Sequence, residues 1–286
     1  MRAVVARTLL AVVVLIAGCS SGPAPRVSVA SVPVESVPAG LPEVPGISAE
    51  AVRLRTDEAV GGQLQVRVTN SGAAPFTVTS VQLDAPGFAV VQATDVVAEY
   101  PPGRVIDLPT PFGAVDCAES PAPPAARLTV VRPGGGTEEL QVPLAGTTLA
   151  EVRAQECAVQ AVTAEVSVTV EGFTEDGETL RGEVVLTRRA GHRPAEVAFL
   201  AGSVVLEPVP DVDLPVTLAA AEAELRLPVT VQTARCDPHA LAETKQPDVF
   251  PLTVVVGDDE AVPVRLPLDE AQRGQLQALL DRVCSG

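Results

Sequence analysis

In 286 residues the chain has no tryptophan, one tyrosine, one methionine, one lysine and two histidines. Sugars are held largely by stacking on exposed Trp and Tyr faces, so carbohydrate binding is not expected. Sequence-independent stacking of single-stranded nucleic acid is excluded for the same reason. Positive charge is scarce as well: 20 Lys and Arg against 36 Asp and Glu give a net charge of −16. That balance opposes contact with nucleic acid and with anionic lipid head groups, and it favours solubility. Long apolar runs are missing too. Crossing a bilayer as a helix takes roughly 20 apolar residues, and no stretch of the chain comes near that.

The N-terminus does carry a shorter apolar run. Arg2 and Arg7 lead into Thr8–Ala17, and small residues follow. A basic start, a short apolar core and small residues at the cut describe a secretory signal. Within it, Leu15-Ile16-Ala17-Gly18-Cys19 resembles the lipobox of bacterial lipoproteins, Leu-x-[Ala/Ser]-[Gly/Ala]-Cys. The resemblance implies that residues 1–18 are removed and that the Cys19 thiol receives a diacylglycerol, with palmitate among the acyl groups of the lipidated residue. The chain would then sit on the extracytoplasmic face of a cell membrane, held by that lipid. Each buried CH₂ of an acyl chain contributes about 0.8 kcal/mol, so several chains on one residue hold firmly. Removing residues 1–18 takes away two arginines and no acids, so 18 bases face 36 acids and the net charge becomes −18.

Residues 19–46 follow as a lipidated cysteine and a tether with six prolines, at 23, 25, 33, 38, 42 and 45. Proline fixes φ and biases its predecessor to extended geometry, which excludes regular structure. Such a spacer rises ~3.1 Å per residue and reaches about 80 Å. With Cys19 set aside, Cys117, Cys157, Cys236 and Cys284 remain. An even number in an oxidising compartment reads as two disulfides.

The rest of the chain repeats itself. Leu108-Pro109 is followed eight residues after the proline by Cys117, and Leu227-Pro228 at the same distance by Cys236. Leu128-Thr-Val-Val131 returns as Leu252-Thr-Val-Val255, and each leads 16 residues on to a Val-Pro-Leu or Leu-Pro-Leu, ending at Leu144 and Leu268. Asn70-Ser-Gly-Ala-Ala-Pro-Phe and Arg189-Ala-Gly-His-Arg-Pro-Ala hold similar places upstream. Within each copy the pattern is β: Gln63–Thr69, Ala164–Val170 and Ala261–Leu266 alternate apolar and polar residues. Gly61-Gly62, Asn70–Gly72, Gly134–Gly136, Asp176-Gly177 and Gly257-Asp258 supply turns between such runs.

Two helices are expected. One starts at Thr148, with Glu151 at capping-box spacing. The other starts at Asp269 and carries the stripe Leu276, Leu279, Leu280, Val283. Of the three possible pairings, only Cys117–Cys157 with Cys236–Cys284 gives both copies the same bridge. Each closed loop of roughly 40 to 50 residues is worth about 4 kcal/mol in chain entropy.

Candidate chemistry is thin. His192 lies in a turn-like segment and reads as an exposed loop residue. Cys236-Asp-Pro-His239 could be half a zinc site, but a second pair of ligands is missing and the repeat assigns Cys236 to a disulfide. Asp211-Val-Asp213 and Asp258-Asp-Glu260 lack the ligand number and glycine of a dedicated Ca²⁺ loop, and read as solvated turns. Gly134–Gly136 lacks the Lys-Ser/Thr and helix of a phosphate loop, and no Gly-x-Ser-x-Gly occurs.

The expected fold is therefore mostly β: two tandem Ig-like β-sandwich domains related by duplication, over 47–158 and 159–286, each closed by a short C-terminal helix. The tandem resembles bacterial Ig-like sandwich lipoproteins, without the Trp that antibody domains place between their cysteines. With no motif that singles out a site, the expected role is a non-catalytic, membrane-anchored interaction or scaffold module of the cell envelope, with an envelope protein as partner, no nucleic acid and no cofactor. The alternative is an extracytoplasmic lipoprotein that binds a small ligand or cation between its domains.

Overall fold

The computed structural model describes residues 40–119 and 122–284. The expected signal peptide, Cys19 and the tether as far as residue 39 lie outside the described residues. Strand takes 46% of the described residues and helix 18%, so the protein is mostly β, with several sheets.

Strands β1 (Ile47–Val52), β2 (Gln63–Asn70), β3 (Phe76–Asp84), β4 (Thr94–Tyr100), β5 (Val105–Pro111), β6 (Ala125–Val131) and β7 (Thr137–Ala145) occupy the first half, with a short helix α1 (Arg55–Val60) between β1 and β2. They hydrogen-bond in the order β4-β3-β6-β7-β1-β2-β5. All neighbours are antiparallel except β7 and β1, which meet in parallel over two residue pairs, Ala49 with Leu144 and Glu50 with Ala145. A helix, α2 (Thr148–Glu165), leads into the second half.

There the chain forms β8 (Val166–Asp176), β9 (Thr179–Arg188), β10 (Ala195–Leu200), β11 (Leu206–Pro210), β12 (Val216–Leu218), β13 (Glu224–Thr233), helix α3 (Pro238–Glu243), β14 (Pro251–Val256), β15 (Val262–Arg265) and helix α4 (Glu270–Cys284). Two four-stranded sheets result, β11-β13-β9-β8 and β12-β10-β14-β15. Registers recur between the halves. Leu128 faces Leu140 as Leu252 faces Val264, and Leu108 faces Val66 as Leu227 faces Val184.

Each half has its own apolar core. One gathers Val66, Val68, Val78, Val81, Leu128, Val130 and Leu144 with the Phe76 and Tyr100 rings. The other gathers Val168, Leu186, Val197, Leu206, Leu227, Leu252 and Val254, closed by Leu276, Leu279 and Leu280 of α4. Each such side chain removed from water contributes about 1.5–3 kcal/mol. Asp269 caps α4, accepting from the Gln272 N–H at 2.8 Å while Gln272 reaches back to the Asp269 N–H at 2.9 Å. Val44, inside the expected tether, already packs on the first core and accepts from the Ile47 N–H.

Helix α2 departs from expectation. It does not close the first half near Cys157 but runs on to Glu165, so the expected boundary at 158/159 falls inside it and β8 begins at Val166, not Ala164. Residues 158–165 hold three alanines and no Gly or Pro, so nothing there stops a helix. Their Val and Thr suggest a strand, but Val159 and Val162 are three apart and fall on one helical face, which packs on the second core. Leu149, at the other end, belongs to the first core. Both halves lie in one compact unit, and α2 is the element they share. The cap is Thr147 and not Thr148: its hydroxyl bonds Glu151 Oε1 at 2.7 Å, without a side-chain bond to the helix backbone.

Helices α1 and α3 were not expected at all. Each is six residues long and nucleated by an aspartate. Two disulfides are present. Cys117, after β5, is bonded to Cys157 in α2, and Cys236, after β13, to Cys284 at the end of α4.

Candidate functional site

The residues singled out by the sequence are dispersed. His192 is exposed in the β9–β10 loop, and His239 is exposed on α3. The Cys236-Asp-Pro-His239 segment is a helix start: Cys236 is in a disulfide, Pro238 opens α3, and Asp237 accepts the Ala240 N–H at 2.9 Å. That N–H, with Arg235 nearby, holds the Asp237 carboxyl below the usual carboxylate range. Asp211 accepts from the Thr230 hydroxyl at 3.0 Å, and Asp259 pairs with Arg193 at 2.7 Å. Gly134–Gly136 forms the β6–β7 turn. Tyr100 is fully buried and stacked on Phe76, ring centroids 4.9 Å apart, so its face is core and not platform. Among the described residues, no three His, Cys, Asp or Glu side chains group as metal ligands.

A different place brings polar groups together. After β1 the chain passes through Arg53-Leu54-Arg55 into α1. The turn is fixed by Asp57, which is 1% exposed and accepts from the Leu54 N–H at 2.9 Å, Gln63 at 3.0 Å and Gln65 at 2.6 Å. A buried carboxylate met by three donors makes a rigid corner. From that corner Arg53 and Arg55 face the second half across a cleft of about 360 Å³. Its other lining residues include Gln155 of α2, Gln246 before β14 and Arg265 of β15.

The halves come together here because α2 packs on β14 and β15 while touching β1. The corner and β15 also meet closely. Arg265 Nη1 lies 3.5 Å from where a Cβ on Gly61 would stand, and Gly61 (φ +75°) ends α1 in a conformation that disfavours such a Cβ.

Most arginines are matched to acids: Arg67 grips Asp107 at 2.6 and 2.9 Å, and Arg226 meets Glu171, Glu183 and Glu224. Bonding to Asp107 raises the Arg67 pKa, and the same bond lowers that of Asp107. Arg53 donates to Gln155 Oε1 at 2.7 Å and its shielded Nε has no partner. Among the described residues, neither Arg53 nor Arg55 has an acidic partner. One acid, Glu58, lines the cleft. An adjoining groove of about 490 Å³ shares Arg53, Glu58 and Gln155, and adds Arg67, Glu50 and Glu151. A separate groove of about 670 Å³ follows the splayed ends of β1 and β7 and is largely apolar, with Val44, Ile47, Val142 and Leu144.

The cleft residues come from four segments with no fixed spacing, so no motif announces them. The one local trace is that Arg53-Leu-Arg55 is the single Arg-x-Arg of the chain.

No family model and no curated relative matches the chain. Among solved structures it is similar to the YadV chaperone, over 77% of this chain and 100% of that one, at 13% identity and a TM-score of 0.22. It is similar to red sea bream transglutaminase over 80% of this chain and 32% of that one, at 11% identity and a TM-score of 0.23. CBD12 from CALX1.2 aligns over 76% and 80% of the two chains, at 13% identity and a TM-score of 0.18. Scores this low carry no weight for what the chain does.

Proposed function

We propose that this chain is a non-catalytic lipoprotein of the bacterial cell envelope, lipid-anchored on the extracytoplasmic side. Its two halves would be copies of one Ig-like β-sandwich domain that offer surfaces to an envelope protein. The observation that carries the reading is the recurrence of one strand order. β1-β2-β5 beside β4-β3-β6-β7 in the first half corresponds to β8-β9-β13 beside β12-β10-β14-β15 in the second, with β11 added at an edge. The disulfides support it: in each half a bridge ties the loop before the sixth matched strand to the helix that follows the seventh. Disulfides persist in oxidising compartments, which fits export, as does the lipobox Leu15–Cys19. Edge strand β4 carries Val97, 85% exposed. An open edge with apolar side chains is a surface on which a partner strand can add.

The test is crosslinking of the full-length chain in cells, alongside Cys19→Ala and labelled fatty acid. The parent should incorporate label, fractionate with membranes and crosslink recurrently to one envelope protein. If Cys19→Ala fractionates as the parent does, lipid is not the anchor. If no protein recurs among the crosslinked species, the partner reading fails.

A further inference from the structure

Beyond partner binding, we infer that the cleft between the halves is a binding site for a small multivalent anion, one bearing phosphoryl or clustered carboxylate oxygens. In a chain with 36 acids, two arginines without an acidic partner line one cavity, and Arg265 from the other half lines it too. A guanidinium presents planar paired donors that match carboxylate and phosphate oxygens two at a time.

The donors are also held in place. Arg53 is fixed by Gln155 on α2, and Arg55 starts a helix whose corner is locked by the buried Asp57. Gln155 and Gln246 add amides able to donate to further oxygens. Arg67 in the adjoining groove is already satisfied by Asp107, so the binding falls first to Arg53 and Arg55. At about 360 Å³ the cleft is of the size that small-molecule sites occupy. Because the walls come from both halves, a bound anion bridges them and fixes their mutual angle. Glu58, the one acid of the lining, is outnumbered by the arginines, so the cleft attracts anions, and more strongly those of higher charge.

The site is tested by calorimetric titration of the full-length chain in neutral detergent, with inorganic phosphate in one arm and citrate in the other. Saturable one-to-one binding is expected in at least one arm. Tighter phosphate assigns a phosphoryl ligand, and tighter citrate a polycarboxylate; either supports the site. Arg55→Gln, at an exposed position, should weaken binding at least about tenfold, and Arg53→Gln with Arg55→Gln should abolish it, whereas Arg104→Gln, outside the cleft, should leave it unchanged. Thermal melts of each variant verify folding. The inference is overturned if neither anion binds saturably up to about 10 mM, or if Arg55→Gln binds as tightly as the parent.

Discussion

Asp57 shows how much one side chain can organise. Its carboxylate is the meeting point of the Leu54 N–H and two glutamine amides, in a position 1% exposed. Removing it leaves buried donors without an acceptor, a cost of about 1–3 kcal/mol. Asp57→Ala should lower stability by at least that much in urea titration, and loosen the Arg53–Arg55 corner with it. A loss below about 0.5 kcal/mol would show that the corner does not need the carboxylate. Tyr100, the single tyrosine, gives a second readout. Burial, with a smaller push from the Asp107 charge, raises its pKa well above the ordinary tyrosine range. In the unfolded chain the phenol ionises near pH 10. Stability from this group is thus complete below about pH 10 and lost as pH climbs toward the raised native value. Phenolate absorbance should appear only as the fold is lost at high pH, and a clean titration near pH 10 in the native protein would contradict the burial.

Among the elements, the strands were readable because a half-buried sheet writes its period of two into the sequence. Gln63–Thr69 is β2 within one residue, and Gly177, Gly257 and Gly134–Gly136 sit in hairpin turns. The α4 stripe was readable for the same reason at period 3.6. Six-residue helices such as α1 and α3 are shorter than two turns and leave almost no periodic trace. The far half of α2 runs past the expected close at 158 because helix there is decided by Val159 and Val162 packing on the second core, a partner that local sequence does not reveal. The cleft was illegible in principle, since Arg53, Gln155, Gln246 and Arg265 become neighbours only when α2 brings the halves together. The continuity of α2 can be tested at Ala161, an exposed position in that half. Proline there removes a helix hydrogen bond and clashes with the preceding turn, so Ala161→Pro should cost about 3 kcal/mol. A loss under about 1 kcal/mol in chemical denaturation would mean these residues are not helical in solution.

For the whole molecule, two cores joined by a shared helix predict that the halves fold separately only if each keeps α2. Fragments 40–165 and 148–286, the latter with Cys157→Ser, should each melt cooperatively, whereas a cut at 158/159 breaks α2 in two and leaves each fragment only part of the helix. If neither helix-keeping fragment melts cooperatively while the full chain does, the two cores are one folding unit. The bridges matter in another setting, that of a molecule under mechanical load. Tension between the two ends of the chain stops at Cys117 and crosses to Cys157 through sulfur. The 40 residues of separation between them cannot extend, which withholds about 140 Å of length at roughly 3.5 Å per residue. Strands β6 and β7 lie inside that closed loop and carry none of the pull. In a single-molecule stretching experiment the first half should therefore lengthen by about 140 Å more after reduction than before. An oxidised chain yields over a short travel and keeps a strand pair from which to refold.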